Sequence, residues 1–100
     1  MKLAVIANPQ KYSIKQSFVD ILSWADEHEV SVAFFSELQE LYRGEEHASA
    51  IVTGSEKEAI DHADIIVAVG GDGTMLYTAR LIKNIQKPIL GVNSGRLGFM

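Results

Sequence analysis

Apolar and polar positions along the chain change period several times, and each change marks an element. Met1-Lys2-Leu3-Ala4-Val5-Ile6-Ala7 is an apolar run of strand length, and the Asn8-Pro9 pair that follows is a turn signal. Ser13 with Gln16 makes a capping-box pattern, after which Ile14, Phe18, Ile21, Leu22 and Ala25 recur at helical spacing until about Glu29. The stretch from Val30 to Phe35 is β-branched and aromatic and predicts a second strand. Ser36 with Gln39 repeats the capping pattern over a short helix carrying Leu38, Leu41 and Tyr42, with Gly44 placed to end it. Residues 45–54 show no decisive period. Ser55 with Glu58 starts a further short helix to about His62, and Ile65-Ile66-Val67-Ala68-Val69 is a third strand. A helix is expected from Thr74, as its N-cap, to about Asn84, and Pro88 to Val92 forms a fourth strand.

Strands alternating with helices, two of the strands being continuous hydrophobic runs, predict an α/β fold: a three-layer α/β/α, Rossmann-like domain around a parallel sheet. Right-handed crossovers place every loop that follows a strand along one edge of such a sheet, where its ligands bind. Three loops meet that condition: Asn8-Pro9, the segment Gly70-Gly71-Asp72-Gly73-Thr74, and Asn93-Ser94-Gly95-Arg96-Leu97-Gly98-Phe99.

Composition narrows the class. The chain has 100 residues, 47% hydrophobic and 22% charged, which suits one domain with a modest core. Net charge is −4 and the nine Lys and Arg are scattered, so no basic stripe marks a nucleic-acid surface. The absence of cysteine removes disulfides and thiolate chemistry. No stretch reaches the roughly 18–20 apolar residues of a membrane helix, and the first apolar run is too short for a signal peptide. A soluble protein of the cytoplasm, with no membrane partner, is the expectation. His28, His47 and His62 share no metal-ligand spacing and are expected at the surface, so no protein-built metal site is expected. Trp24 and Met75 are read as packing or partly exposed residues, and Glu45-Glu46 as a solvated turn.

The glycine segment carries the chemistry. Three glycines between a strand and a helix let backbone N–H groups approach an anion, and the helix dipole adds to their pull. The pattern is neither a P-loop, since Thr74-Met75 follows the last glycine where Lys is required, nor a dinucleotide fingerprint, since Leu76 occupies the third glycine position. Asp72 is ionised at neutral pH and would repel a phosphate, so it should face either a hydroxyl whose proton it accepts or a Mg²⁺ that travels with the phosphates. Both partners belong to phosphoryl transfer. Arg96 is a candidate phosphate contact, with a solvated loop residue as the equal alternative. Phe99 reads either as a stacking platform for a base or as the first core residue of a following segment, and the residues alone favour the second.

The segment Gly70-Gly71-Asp72-Gly73-Thr74, followed by Asn93-Ser94-Gly95-Arg96-Leu97-Gly98-Phe99, resembles the N-terminal domain of NAD kinases. The first motif is shared with lipid and sugar kinases; the second is more particular to NAD kinases. The resemblance covers most of the chain and is weakest between Leu38 and Ser55. It implies transfer of the γ-phosphoryl group of ATP, or of polyphosphate, with Mg²⁺, to the 2′-hydroxyl of the adenosine ribose of NAD. It implies that Asp72 accepts the hydroxyl proton, that Gly70, Gly71, Gly73 and Thr74 approach the donor phosphates, that Asn93 shapes the site and that Phe99 packs on NAD. Tyr77 stands where many bacterial relatives carry Arg or Lys and others Tyr.

The resemblance further implies that residues 1–100 are the N-terminal nucleotide-phosphate-binding domain. A C-terminal β-rich NAD-binding domain then lies outside this chain, the complete protein is a homo-oligomer (dimer or tetramer), and the fragment alone is inactive. Two other readings remain at this point: a lipid or sugar kinase with the same glycine motif, and a nonenzymatic α/β module that binds an anion.

Overall fold

The computed structural model describes residues 1–11 and 13–93. Five strands form one parallel sheet: β1 (Lys2–Ala7), β2 (Ser31–Phe35), β3 (Ala50–Thr53), β4 (Ile65–Gly70) and β5 (Ile89–Asn93). Their order across the sheet is β3-β2-β1-β4-β5. The two apolar runs, β1 and β4, lie side by side at the centre, with Ala4 opposite Ile66 and Ala7 opposite Val69. Both are buried on two faces, which is why neither alternates in sequence.

Helices cover both faces, as the alternation predicts. α1 (Ile14–His28) and the 3₁₀ helix η1 (Ser36–Tyr42) lie on one face, and α2 (Glu56–His62) with α3 (Asp72–Leu81) on the other. The α1 face is aromatic: Phe18 meets Phe34 edge-on at 5.0 Å between ring centroids, and Tyr42 closes the cluster. Full burial of a side chain such as Phe18 or Leu22 contributes roughly 1.5–3 kcal/mol each. The α2/α3 face is built from small and aliphatic residues, with Ala4, Ala33, Ala59 and Ala63 beside Ile6, Ile60, Ile66 and Ile82.

The local signals succeed unevenly. Ser55 caps α2 as expected, its hydroxyl accepting the Glu58 N–H at 3.1 Å, while the Glu58 carboxylate accepts the Gly54 N–H at 2.7 Å. Ser13 makes no side-chain cap, and Gln16 donates to Asp20 one turn along instead. Ser36 likewise caps nothing: Phe35 precedes η1, which winds as a 3₁₀ helix. Gly44, at φ +88°, ends that segment as anticipated. The fifth strand, β3, was not expected. Ala50-Ile51-Val52-Thr53 is four residues long and lies at the sheet edge with Val52 exposed, too short and too one-sided to produce a period.

His47 corrects another expectation. It is not a surface residue: its side chain is buried, and its Nδ1 lies 2.6 Å from the Asp26 carboxylate on α1. The Ser49 N–H and hydroxyl also donate to Asp26, at 2.9 and 2.6 Å. These three bonds tie the segment entering β3 to α1. Burial opposes ionisation of Asp26, but the hydrogen bonds from Ser49 and His47 together outweigh it and hold its carboxyl below the usual value.

A depressed native pKa means that the unfolded chain binds more protons as the pH falls below the ordinary carboxylate value near 4. The stability this group contributes is therefore complete above that pH and is lost as the pH drops through the native pKa. Asp26→Asn is expected to cost about 1–3 kcal/mol at pH 7. Urea unfolding of the variant from pH 7 to 3 should show a shallower acid limb than the wild type; parallel limbs would remove Asp26 as a source of acid sensitivity.

Candidate functional site

All strands being parallel, the loops after β1, β4 and β5 emerge on one edge. The register makes this concrete: Gly70 at the end of β4 is paired with Asn93 at the end of β5, and Ala7, just before Asn8, is paired with Val69. The two motifs singled out in the sequence therefore start as neighbours on adjacent strands. Arg96 and Phe99 lie outside the described residues.

The glycine segment is a strand-to-helix turn in which each residue has a different task. Gly70 ends β4 at φ +157°, and a Cβ placed there would lie 2.9 Å from the Thr74 Cβ and closer still to its hydroxyl. No side chain fits at that position without moving Thr74. Gly71 is the N-cap of α3, so the helix starts at Asp72, three residues earlier than Thr74 as N-cap would have it, and it ends at Leu81 rather than near Asn84. The competing factor is backbone freedom: a glycine at the N-cap lets the first turn close before the threonine is reached.

Around Gly71 and Gly73 the situation is opposite to that at Gly70. A Cβ on either would meet nothing within 4 Å, so the protein's own packing leaves a space over both. The first intrahelical hydrogen bond runs from the Met75 N–H to the Gly71 carbonyl at 3.2 Å, and no side chain caps the helix. The N–H groups of Asp72, Gly73 and Thr74 thus begin the helix as donors directed at that space. The residues present fit an anionic group that needs close backbone approach.

A cleft of about 450 Å³ opens beside this helix start. Gly73, Thr74 and Tyr77, one face of α3 at helical spacing, form one wall; Asn8, Pro9 and Lys11 after β1 form another. Phe35, Glu37 and Leu38 at the end of β2 close the far side, and Val5 and Ala7 form an apolar floor. Asp72 is exposed at the first position of α3 and is not among the residues that line this cleft. Among the described residues no cluster of three His, Cys, Asp or Glu could hold a metal. A Mg²⁺ at this edge would fit as a passenger of the phosphates, met by one carboxylate and water.

Sequence reasoning missed three groups that shape the cleft. Lys11 lies four residues beyond the first strand, in a loop already assigned to the ligand edge, and that location was the available signal. Glu56, the first residue of α2, accepts a hydrogen bond from the Tyr77 hydroxyl, which joins the start of α2 to the middle of α3 across the rim. This bond, with burial and the adjacent charge, pushes the Tyr77 pKa up. Nothing in the sequence pairs residues 56 and 77. Glu37 enters the cleft because β2 neighbours β1, a fact of strand order.

Comparison with known proteins bears on the whole chain. Residues 3–100 match the family model described as the ATP-NAD kinase N-terminal domain. An NAD kinase of Marinomonas sp. (strain MWYL1) is 32% identical over 99 residues, which cover 99% of this chain and 32% of that protein. An NAD kinase of Chlorobium phaeovibrioides is 33% identical, covering 100% of this chain and 33% of the relative. The chain thus spans about a third of the length of these curated relatives. Among solved structures, yeast NADH kinase complexed with NADH superposes with a TM-score of 0.79 at 24% identity, covering 100% of this chain and 31% of that one, a likeness of fold.

Proposed function

This chain belongs to the NAD kinase family, and from that premise we propose that it forms the donor-phosphate half of an enzyme that phosphorylates the 2′-hydroxyl of the adenosine ribose of NAD. The observation that carries the proposal is the pairing of Gly70 with Asn93. It sets the uncapped start of α3, the open space over Gly71 and Gly73, and the first residue of the second motif along one short stretch of the carboxyl edge.

In this reading the N–H groups that open α3 hold the phosphates of a triphosphate donor, and the glycines admit them closely. Lys11 adds a positive charge from the opposite wall. Asp72 accepts the proton of the acceptor hydroxyl as its oxygen bonds to the terminal phosphorus and the bond from that phosphorus to the departing diphosphate breaks. Mg²⁺, if carried by the donor phosphates, would offset their charge. Asn93, Arg96 and Phe99 complete the acceptor side, together with a further domain, in keeping with the share of the relatives' length that this chain covers. Polyphosphate as an alternative donor, assembly into a homo-oligomer and a cytoplasmic setting belong to the same proposal and follow from the family resemblance. No described helix is long and apolar enough to cross a membrane.

The test is conversion of NAD to NADP by the complete protein with ATP and Mg²⁺, beside the 100-residue chain. Activity is expected in the complete protein and none in the short chain. Transfer of phosphate to a lipid or sugar in preference to NAD would replace the acceptor named here.

A further inference from the structure

Two carboxylates line the cleft, and they differ in what they already hold. Glu56 accepts the Tyr77 hydroxyl, whereas among the described residues no side chain pairs with the Glu37 carboxylate. Glu37 stands two residues beyond the end of β2, exposed toward solvent at the cleft's far side. In parallel sheets that bind nucleotides across a reversal of strand order, an acid at the end of the second strand accepts hydrogen bonds from ribose hydroxyls. This sheet has that order, β3-β2-β1-β4-β5, with the reversal between β1 and β4.

One difference from that arrangement sets the ligand. There the phosphate loop follows the first strand and is a neighbour of the acid; here it follows β4, so β1 lies between the two. Two strand spacings, roughly 10 Å, separate the end of β4 from the end of β2. A nucleotide whose terminal phosphate sits at Gly73 and Thr74 needs the length of a triphosphate to bring its sugar to Glu37. The floor between them, Val5 and Ala7, is apolar, and Asn8 and Lys11 on the wall after β1 are the polar groups a phosphate chain would meet on the way.

We infer that Glu37 binds the ribose hydroxyls of the nucleoside triphosphate donor and thereby distinguishes a nucleotide from a donor built of phosphate alone. The inference rests on the cleft being the donor site. A carboxylate accepting from vicinal hydroxyls makes charge-assisted bonds that neither a polyphosphate chain nor a dideoxy nucleotide can supply. Glu37 is a binding residue in this role; it takes no part in proton transfer.

The experiment measures binding of ATP and of 2′,3′-dideoxy-ATP to the complete protein by titration calorimetry, for the wild type and Glu37→Gln, with NADP formation assayed in parallel. The wild type is expected to bind ATP roughly ten- to a hundredfold more tightly than the dideoxy nucleotide. Glu37→Gln should lose most of that advantage on ATP and leave dideoxy-ATP binding unchanged. Equal losses for both nucleotides would reduce Glu37 to a stabiliser of the η1 start and overturn the inference, as would no loss for either. If the wild type makes NADP yet shows no hydroxyl-dependent difference, the ribose site falls and the kinase assignment stands. If Glu37 discriminates hydroxyls while NAD is not phosphorylated, the ribose site stands and the acceptor is wrong. A wild type that binds neither nucleotide overturns both.

Discussion

Asp72→Asn in the complete protein is expected to lower kcat for NADP formation by about 10²–10⁴-fold, the range associated with loss of a positioned general base. Asparagine keeps the shape of the side chain but cannot take a proton from the acceptor hydroxyl. Because Asp72 is exposed at the first position of α3, its own packing contributes little, and the lost interaction between its charge and the helix dipole costs about 0.3–1 kcal/mol. Activity should therefore collapse while thermal unfolding barely moves. KM for ATP should change little, since the carboxylate does not line the donor cleft. A variant with near-normal kcat would end the assignment of Asp72 as base. One with normal kcat and a greatly raised requirement for Mg²⁺ would reassign the carboxylate to the metal.

Gly70→Ala and Gly73→Ala should fail in opposite ways. A methyl at Gly70 collides with the Thr74 side chain in a backbone conformation that L side chains rarely adopt, so either the strand end or the helix start must move. The combined overpacking and backbone strain is on the order of 2–4 kcal/mol, read as a lower urea midpoint with m unchanged. A methyl at Gly73 meets no protein atom within 4 Å and replaces glycine by a better helix former, so stability should hold or rise slightly. That methyl projects into the space assigned to the donor phosphates, and KM for ATP should increase at least roughly tenfold, a loss of about 1.4 kcal/mol. Normal stability in the first variant would contradict the packing described at Gly70. Normal donor affinity in the second would show that phosphates do not come close to that backbone.

The central strands, the large helix and the glycine turn after β4 were legible because each rests on a local rule. Ile65 to Val69 is apolar throughout because β4 is covered on both faces, and the glycines that follow can only mark a turn. Three features were not legible. The edge strand β3 is too short to carry a period, and its identity comes from pairing with β2. The burial of His47 depends on Asp26, 21 residues away, and no sequence spacing announces that pair. The cleft itself is a product of strand order: Glu37, Lys11 and Tyr77 become neighbours only once β2, β1 and β4 take their places. Two of the three capping patterns were also misleading: Ser13 stands at the N-cap of α1 in a helical backbone conformation and makes no cap bond, and Ser36 is the first residue of η1 and not the one before it.

The two faces of the sheet leave unequal freedom to sequence drift. On the α1 side the aromatic cluster is thick, and one large residue can be exchanged for another of similar volume with some repacking. On the other side Ala59 in α2 and Ala63 at its end pack in one cluster with Ala4 and Ala33 of the sheet, small residues set among Ile6, Ile60, Ile66 and Ile82. Any larger residue at those positions lifts α2 off the sheet, carries Glu56 away from the rim, and frees Tyr77 from the bond that holds it at the mouth of the cleft. Divergence within this domain should therefore accumulate under α1 and stall beneath α2, leaving a record of the site in residues that never touch a ligand.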